Sequence, residues 1–172
     1  MGTYWSLPLI IFAVILQATV LPQIRIFGGQ PDLVFLMMLS WAIHGRLEQN
    51  VIWAFVGGIA QDLMSAAPTG ASVLGMLLLA FGIEQIQRQV YRIGFMLIIA
   101  LVIMGTLLQK LVFMVVLAFS GFAVYPLENL TYVILPTIAY NLLFIGPIYW
   151  LIRRLQRRIQ RRSTSKQHAL TL

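Results

Sequence analysis

Apolar residues in this chain fall in long runs separated by short polar or Gly/Pro-rich breaks. The breaks divide it into six segments, at 4–23, 32–44, 51–65, 70–86, 93–119 and 131–152. The first, fifth and sixth each hold about 20 or more apolar residues, enough for a helix to cross a bilayer. The second and third are shorter than the usual ~17-residue minimum. They read either as short helices covered by protein neighbours or as two arms of a re-entrant hairpin, and both keep the same parity of crossings. Met1 to Ile24 carries no charge. It is too long for a signal-peptide core and has no positive region before it, so the reading is a retained helix.

The breaks have local causes. Pro22 to Asp32 contains Gly28, Gly29 and Pro31, and Pro31 suits the first turn of a helix starting near Asp32. Ser65 to Gly70 reads Ser-Ala-Ala-Pro-Thr-Gly, with Thr69 as the expected N-cap of the fourth helix. Ser120 to Leu130 carries Gly121, Pro126, Glu128 and Asn129, and Gly146-Pro147 is expected to kink the last helix. Residues 163–172 are rich in Ser, Thr and Gln and are expected to be disordered. The implied organisation is a helical bundle over 1–152 followed by a basic tail over 153–172.

Composition removes the soluble alternatives. Of the 172 residues 60% are hydrophobic and 10% charged, with a mean hydropathy of +0.88, against about 25% charged in ordinary soluble domains. The reading is an all-α integral membrane protein. The net charge of +7 comes from Arg153, Arg154, Arg157, Arg158, Arg161, Arg162 and Lys166, a run without an acid. The other five cations (Arg25, Arg46, Arg88, Arg92, Lys110) balance the five acids (Asp32, Glu48, Asp62, Glu84, Glu128). With six crossings and a cytoplasmic tail, both termini lie in the cytoplasm, and ten cations then stand inside against Arg25 outside. The six tail arginines recur in pairs every four residues, laying a basic stripe toward anionic lipid or an acidic cytoplasmic protein. Nucleic acid is disfavoured because no aromatic residues interleave with them.

Polar residues at membrane depth are costly and are functional candidates. They are Gln17, Gln61, Asp62, Gln109, Lys110 and Asn141. At 1.5 Å per residue, Asp62 and Lys110 lie about 17 and 25 Å from the inner face, close enough in depth to pair between the third and fifth helices. Alternatively Lys110 snorkels outward and Asp62 sits hydrated beside the 65–70 loop. Gly57, Gly58, Ala71, Gly75, Gly82, Gly94 and Gly105 are expected to let helices approach closely inside the bundle.

Enzyme chemistry finds no foothold. There is no cysteine, only His44 and His168, and no P-loop or zinc spacing. Ser120-Gly121 lacks the glycine an intramembrane serine protease has where this chain has Ala118, and no later membrane histidine exists to act as base. No metal or cofactor is expected.

The stretches Gln17-Ala-Thr-Val-Leu-Pro22 and Gln30-Pro31-Asp32-Leu33-Val34 resemble the opening of the MreD family of rod-shape-determining membrane proteins. The run from Phe55 through Gly57, Gly58, Asp62 and Pro68 to Gly70 is similar to that family's core pattern, glycines ahead of an acid and then a Pro/Gly break. The motif resemblance covers roughly residues 5–90; length, helix count and basic C-terminus extend it. It implies a non-enzymatic part of the bacterial cell-elongation machinery. Such a protein sits in the cytoplasmic membrane with the single-span protein MreC and helps connect MreB filaments to peptidoglycan synthases. The residues that would shape the family fold are Pro31, Asp32, Gly57, Gly58, Asp62, Pro68 and Gly70. The family also looks similar to the substrate-binding membrane subunits of energy-coupling-factor transporters, which makes a small-solute-binding transport subunit the alternative. Tyr125, Asn129, Thr131, Tyr132, Gln23 and Arg25 could line a shallow outer site for it, or belong to an aromatic belt with Trp5 and Trp150.

Overall fold

The computed structural model describes residues 3–25, 28–43, 45, 47–65, 68–90, 94–122 and 125–169, with side chains between residues 8 and 156. No strand occurs among the described residues. Helix α1 spans Thr3–Thr19 and runs into a 3-10 turn at Leu21–Ile24. It is followed by α2 (Leu33–Ala42), α3 (Leu47–Leu63), α4 (Ala71–Gln89) and α5 (Phe95–Phe119). A short α6 (Pro126–Asn129) and a π-helical segment (Leu130–Ile134) lead into α7 (Leu135–Ala169). Each of the six apolar segments therefore carries one helix.

Several boundaries differ from the sequence reading. α3 begins at Leu47 and α4 runs on to Gln89, because Glu48, Glu84, Gln85, Gln87 and Arg88 are good helix formers however polar. α7 continues through Pro147 and past the arginines to Ala169. Helical backbone thus replaces the disorder expected from residue 163 to Ala169. Pro31 precedes α2 instead of lying in its first turn, because the carboxylate of Asp32 takes the N-cap.

α2 is the axis of the molecule. It packs against α1, α3, α4 and α7, and every residue from Val34 to Ala42 is buried. Around it α1 packs on α3, α3 on α4, α4 on α5 and α5 on α7. The core follows from this: Phe35, Leu36, Met38 and Leu39 of α2 meet Ile10 and Ala13 of α1, Trp53 of α3, Met76 and Ile83 of α4, Val102 of α5 and Ile152 of α7.

Ten residues make α2 only about 15 Å long at 1.5 Å per residue, half of a ~30 Å hydrocarbon layer. It is therefore a short helix enclosed by protein. Its ends fall inside the bundle, where the unpaired N–H groups of the first turn and carbonyls of the last cannot be left to water. Which side chains reach them decides the rest of the architecture.

Candidate functional site

We call the end of the bundle that carries Arg153 and Arg154 the basic end, and the opposite one the far end. At the far end, the first turn of α2 is met by side chains from four other elements. The Asp32 carboxylate caps its own helix, its Oδ1 accepting from the Phe35 N–H at 3.1 Å. The same oxygen accepts from Gln17 Nε2 of α1 at 3.1 Å and Gln61 Nε2 of α3 at 2.6 Å. Gln17 turns its own oxygen to the Val34 N–H at 3.0 Å. From α7, Asn141 Oδ1 accepts from the Asp32 backbone N–H at 2.9 Å. The amide of Asn141 donates to Thr106 Oγ of α5 at 3.0 Å, and that hydroxyl donates to the Val102 carbonyl at 2.7 Å.

The second carboxylate oxygen faces α5. Gln109 Nε2 donates to Oδ2 at 3.4 Å, and Lys110 Nζ stands 3.9 Å from it. The Asp32 side chain is 6% exposed, whereas the Lys110 side chain is 26% exposed. Burying a carboxylate that deep is costly unless cations or donors compensate its desolvation. Here one amine, three amides and a backbone N–H do so. The result is a neutral ion pair that ties α1, α2, α3 and α5 to one carboxylate, with α7 attached through Asn141.

This corrects the pairing expected for Lys110. Its carboxylate partner is Asp32 and not Asp62. Asp62 is engaged elsewhere: its Oδ2 accepts from the Gly70 N–H at 2.7 Å and its Oδ1 from the Ser72 N–H at 3.0 Å. It thereby caps α4 from the neighbouring helix, so Thr69 is not the cap. Gly70 is the N-cap residue, at φ +106°, a left-handed conformation that a Cβ disfavours. The Pro68 carbonyl closes the turn by accepting from the Ala71 N–H at 3.3 Å.

The remaining motif glycines make close helix contacts. A Cβ on Gly58 would lie 2.6 Å from the Val73 Cα of α4, and one on Gly57 2.9 Å from Val34 Cγ1 of α2. The expected constellation thus divides into two devices. Gly58, Asp62, Pro68 and Gly70 build the α3–α4 hairpin, while Pro31 and Asp32 start α2 and Gly57 lets α3 close on it. Gln61, adjacent to Asp62, joins the two.

The basic end of α2 is closed by neutral groups. Asn50 Nδ2 of α3 donates to the Ala42 carbonyl at 3.3 Å, and Gln87 of α4 donates to the same oxygen. Gln156 Nε2 of α7 donates to the Trp41 carbonyl at 3.2 Å. The rings of Trp41 and Trp53 stack there with centroids 4.9 Å apart. Sequence reading missed Asn50, Gln87 and Gln156 because they stand at the edges of apolar segments and read as punctuation. It found Gln17, Gln61, Gln109, Lys110 and Asn141 as polar groups at depth, but not Asp32, the residue on which they converge.

Further along α7, Arg153 lies over the Tyr149 ring and Arg154 over Trp150, at 6.0 and 5.2 Å from the centroids. The side chains of Arg157, Arg158, Arg161 and Arg162 lie outside the described residues, as do His44, Arg46 and Arg92. Among the described residues no group of three His, Cys, Asp or Glu is placed to hold a metal ion.

The family model of rod shape-determining protein MreD matches the chain over residues 2–159. The chain belongs to the MreD family. The match runs past the motif-bearing half through all the helices that meet at Asp32. No curated protein and no solved structure gives a significant match. Membership in MreD carries involvement in rod-shape determination. α5 and the stretch Pro126–Gln156 are long and apolar enough to cross a membrane.

Proposed function

We propose that this MreD chain is a non-enzymatic, multi-pass scaffold in the bacterial cytoplasmic membrane, acting in the cell-elongation machinery. Both termini lie in the cytoplasm. It binds MreC, and through it helps couple MreB filaments to the peptidoglycan synthases that maintain rod shape. The observation that carries this reading is the family match over nearly the whole chain. The geometry agrees with it: Asp32 and the polar side chains around it are spent on one another, tying helices together as a rigid scaffold requires.

Charge supports the orientation. Arg88 closes the basic end of α4, and Arg153 and Arg154 follow the interfacial aromatics Tyr149 and Trp150, as positive-inside topology requires. The basic stripe of α7 meets anionic lipid at the inner leaflet.

Gentle purification from native membranes, with mass spectrometry of everything recovered, tests the proposal. Recovery of a single-span partner with an external domain, together with wall synthases, is the expected result. Recovery of ATPase subunits, or of a stoichiometric small metabolite, contradicts it and makes the chain a transport subunit.

A further inference from the structure

The carboxamides that close the basic end of α2 cannot be turned round. Asn50 and Gln156 each meet a backbone carbonyl, which only accepts, so each must present its nitrogen there. Their oxygens face elsewhere, and Asn50 Oδ1 and Gln156 Oε1 have no hydrogen-bond partner among the described residues. The same holds for the indole N–H groups of Trp41 and Trp53, whose rings stack at this end. All four atoms are buried. Two of them can only donate and two can only accept.

Gly45 marks where these groups meet. Its φ lies outside the left-handed region, so the backbone itself would accept a side chain. The surroundings would not. A Cβ there would lie 2.5 Å from Asn50 Oδ1, 3.0 Å from the Trp41 carbonyl oxygen and 3.2 Å from Trp41 Cδ1. Those atoms converge on one point, and Trp41 Nε1 is bonded to that Cδ1. Gly45 is half-buried, so the point lies just beneath the surface of the basic end.

Buried polar atoms left without partners are costly, and proteins commonly meet them with ordered water, on the order of one buried molecule per 27 residues. Water accepts from an indole and donates to a carboxamide oxygen at once, which the mixed set here requires. Trp41, Trp53 and Asn50 are 4%, 1% and 0% exposed, so a larger polar solute would have to part the stacked rings to reach them.

We propose that the basic end of α2 is a hydration site, in which a water beside Gly45 accepts from Trp41 Nε1 and donates to Asn50 Oδ1, with further water serving Trp53 Nε1 and Gln156 Oε1. Water enters past Gly45. The bundle is wetted from this end as far as the last turn of α2, while the Asp32 ion pair closes the other.

The chain has four tryptophans, so the full-length Trp5→Phe/Trp150→Phe variant keeps two indole N–H signals, told apart by adding Trp53→Phe. Rotating-frame Overhauser spectra of that protein in nanodiscs, with nitrogen-15 in the indoles, read contact with water. Both N–H protons are expected to show direct cross-peaks to water. The peaks are expected to persist with Ser40→Ala and His44→Phe, which remove exchanging protons of sequence neighbours. Gly45→Ala puts a methyl at the point of convergence and is expected to abolish the Trp41 cross-peak while leaving that of Trp53. Absence of a water cross-peak at Trp41 in the parent overturns the proposal, as does its loss with Ser40→Ala or His44→Phe. An undiminished Trp41 cross-peak in Gly45→Ala contradicts a water beside Gly45.

Discussion

The two ends of α2 solve one problem with different chemistry. At the far end a carboxylate takes three N–H donors on one oxygen and an amide and an ammonium on the other. At the basic end carboxamides donate to two carbonyls without any charge. Satisfaction differs as well. Among the described residues, Trp41 Nε1, Trp53 Nε1, Ser40 Oγ, Asn50 Oδ1 and Gln156 Oε1 at the basic end have no hydrogen-bond partner, against Gln61 Oε1 at the far end. Charge-assisted bonds are about twice as strong as neutral ones, and buried polar atoms without partners mark a region that opens more easily. The far end is the rigid anchor of the bundle, and the basic end its looser closure.

The largest effect is expected from removing the anchor. Asp32→Leu strips the cap and leaves Lys110 without its partner, and is expected to cost about 3–5 kcal/mol. Little folded protein should survive detergent extraction, and rod shape should not be restored in cells lacking the native protein. Full thermal stability of this variant would remove the distinction between the two ends.

Asp62 sharpens the comparison, since it is an equally buried carboxylate at the same end but has no cation partner among the described residues. Asp62→Ala leaves the Gly70 and Ser72 N–H groups unmet and is expected to cost about 2 kcal/mol in thermal unfolding. Asp62→Asn keeps an acceptor and is expected to cost less, which separates lost geometry from lost charge.

Smaller effects belong to the basic end. Gln156→Leu removes one neutral bond to the Trp41 carbonyl, with an expected loss of about 1 kcal/mol. Without any substitution, hydrogen exchange should proceed faster at the amides of residues 51–55, which are hydrogen-bonded within α3 and nearer the basic end, than at those of residues 59–63, next to Asp32. Equal protection of the two segments would show the ends to be equally firm.

The sequence carried a good part of this. Six apolar segments, the short second one and the glycine-to-proline run of the α3–α4 hairpin are all read from residue order. So are the five polar residues that converge on Asp32. What residue order could not give is the convergence itself. Asp32 sits beside Gly28, Gly29 and Pro31 and reads as the edge of a loop; only the enclosure of α2 makes it a buried charge. Asn141 lies 109 positions away, and its amide reaches the start of α2 only through the packing of α7 along that helix. Asp62 and Lys110 matched in depth, but depth along two helices says nothing about which faces meet.

The ion pair is the central claim, and a double-mutant cycle on Asp32 and Lys110 reads it directly through thermal unfolding in nanodiscs. Lys110→Met alone leaves the buried carboxylate with its hydrogen-bond donors but without its cation. Asp32→Asn alone keeps the N-cap acceptor but strands the ammonium. If the two groups compensate each other, the double variant is expected to be about 1–3 kcal/mol more stable than the sum of the single losses. Additivity within about 0.5 kcal/mol would mean that Lys110 does not compensate Asp32, and the account of the far end as a charged anchor would fail.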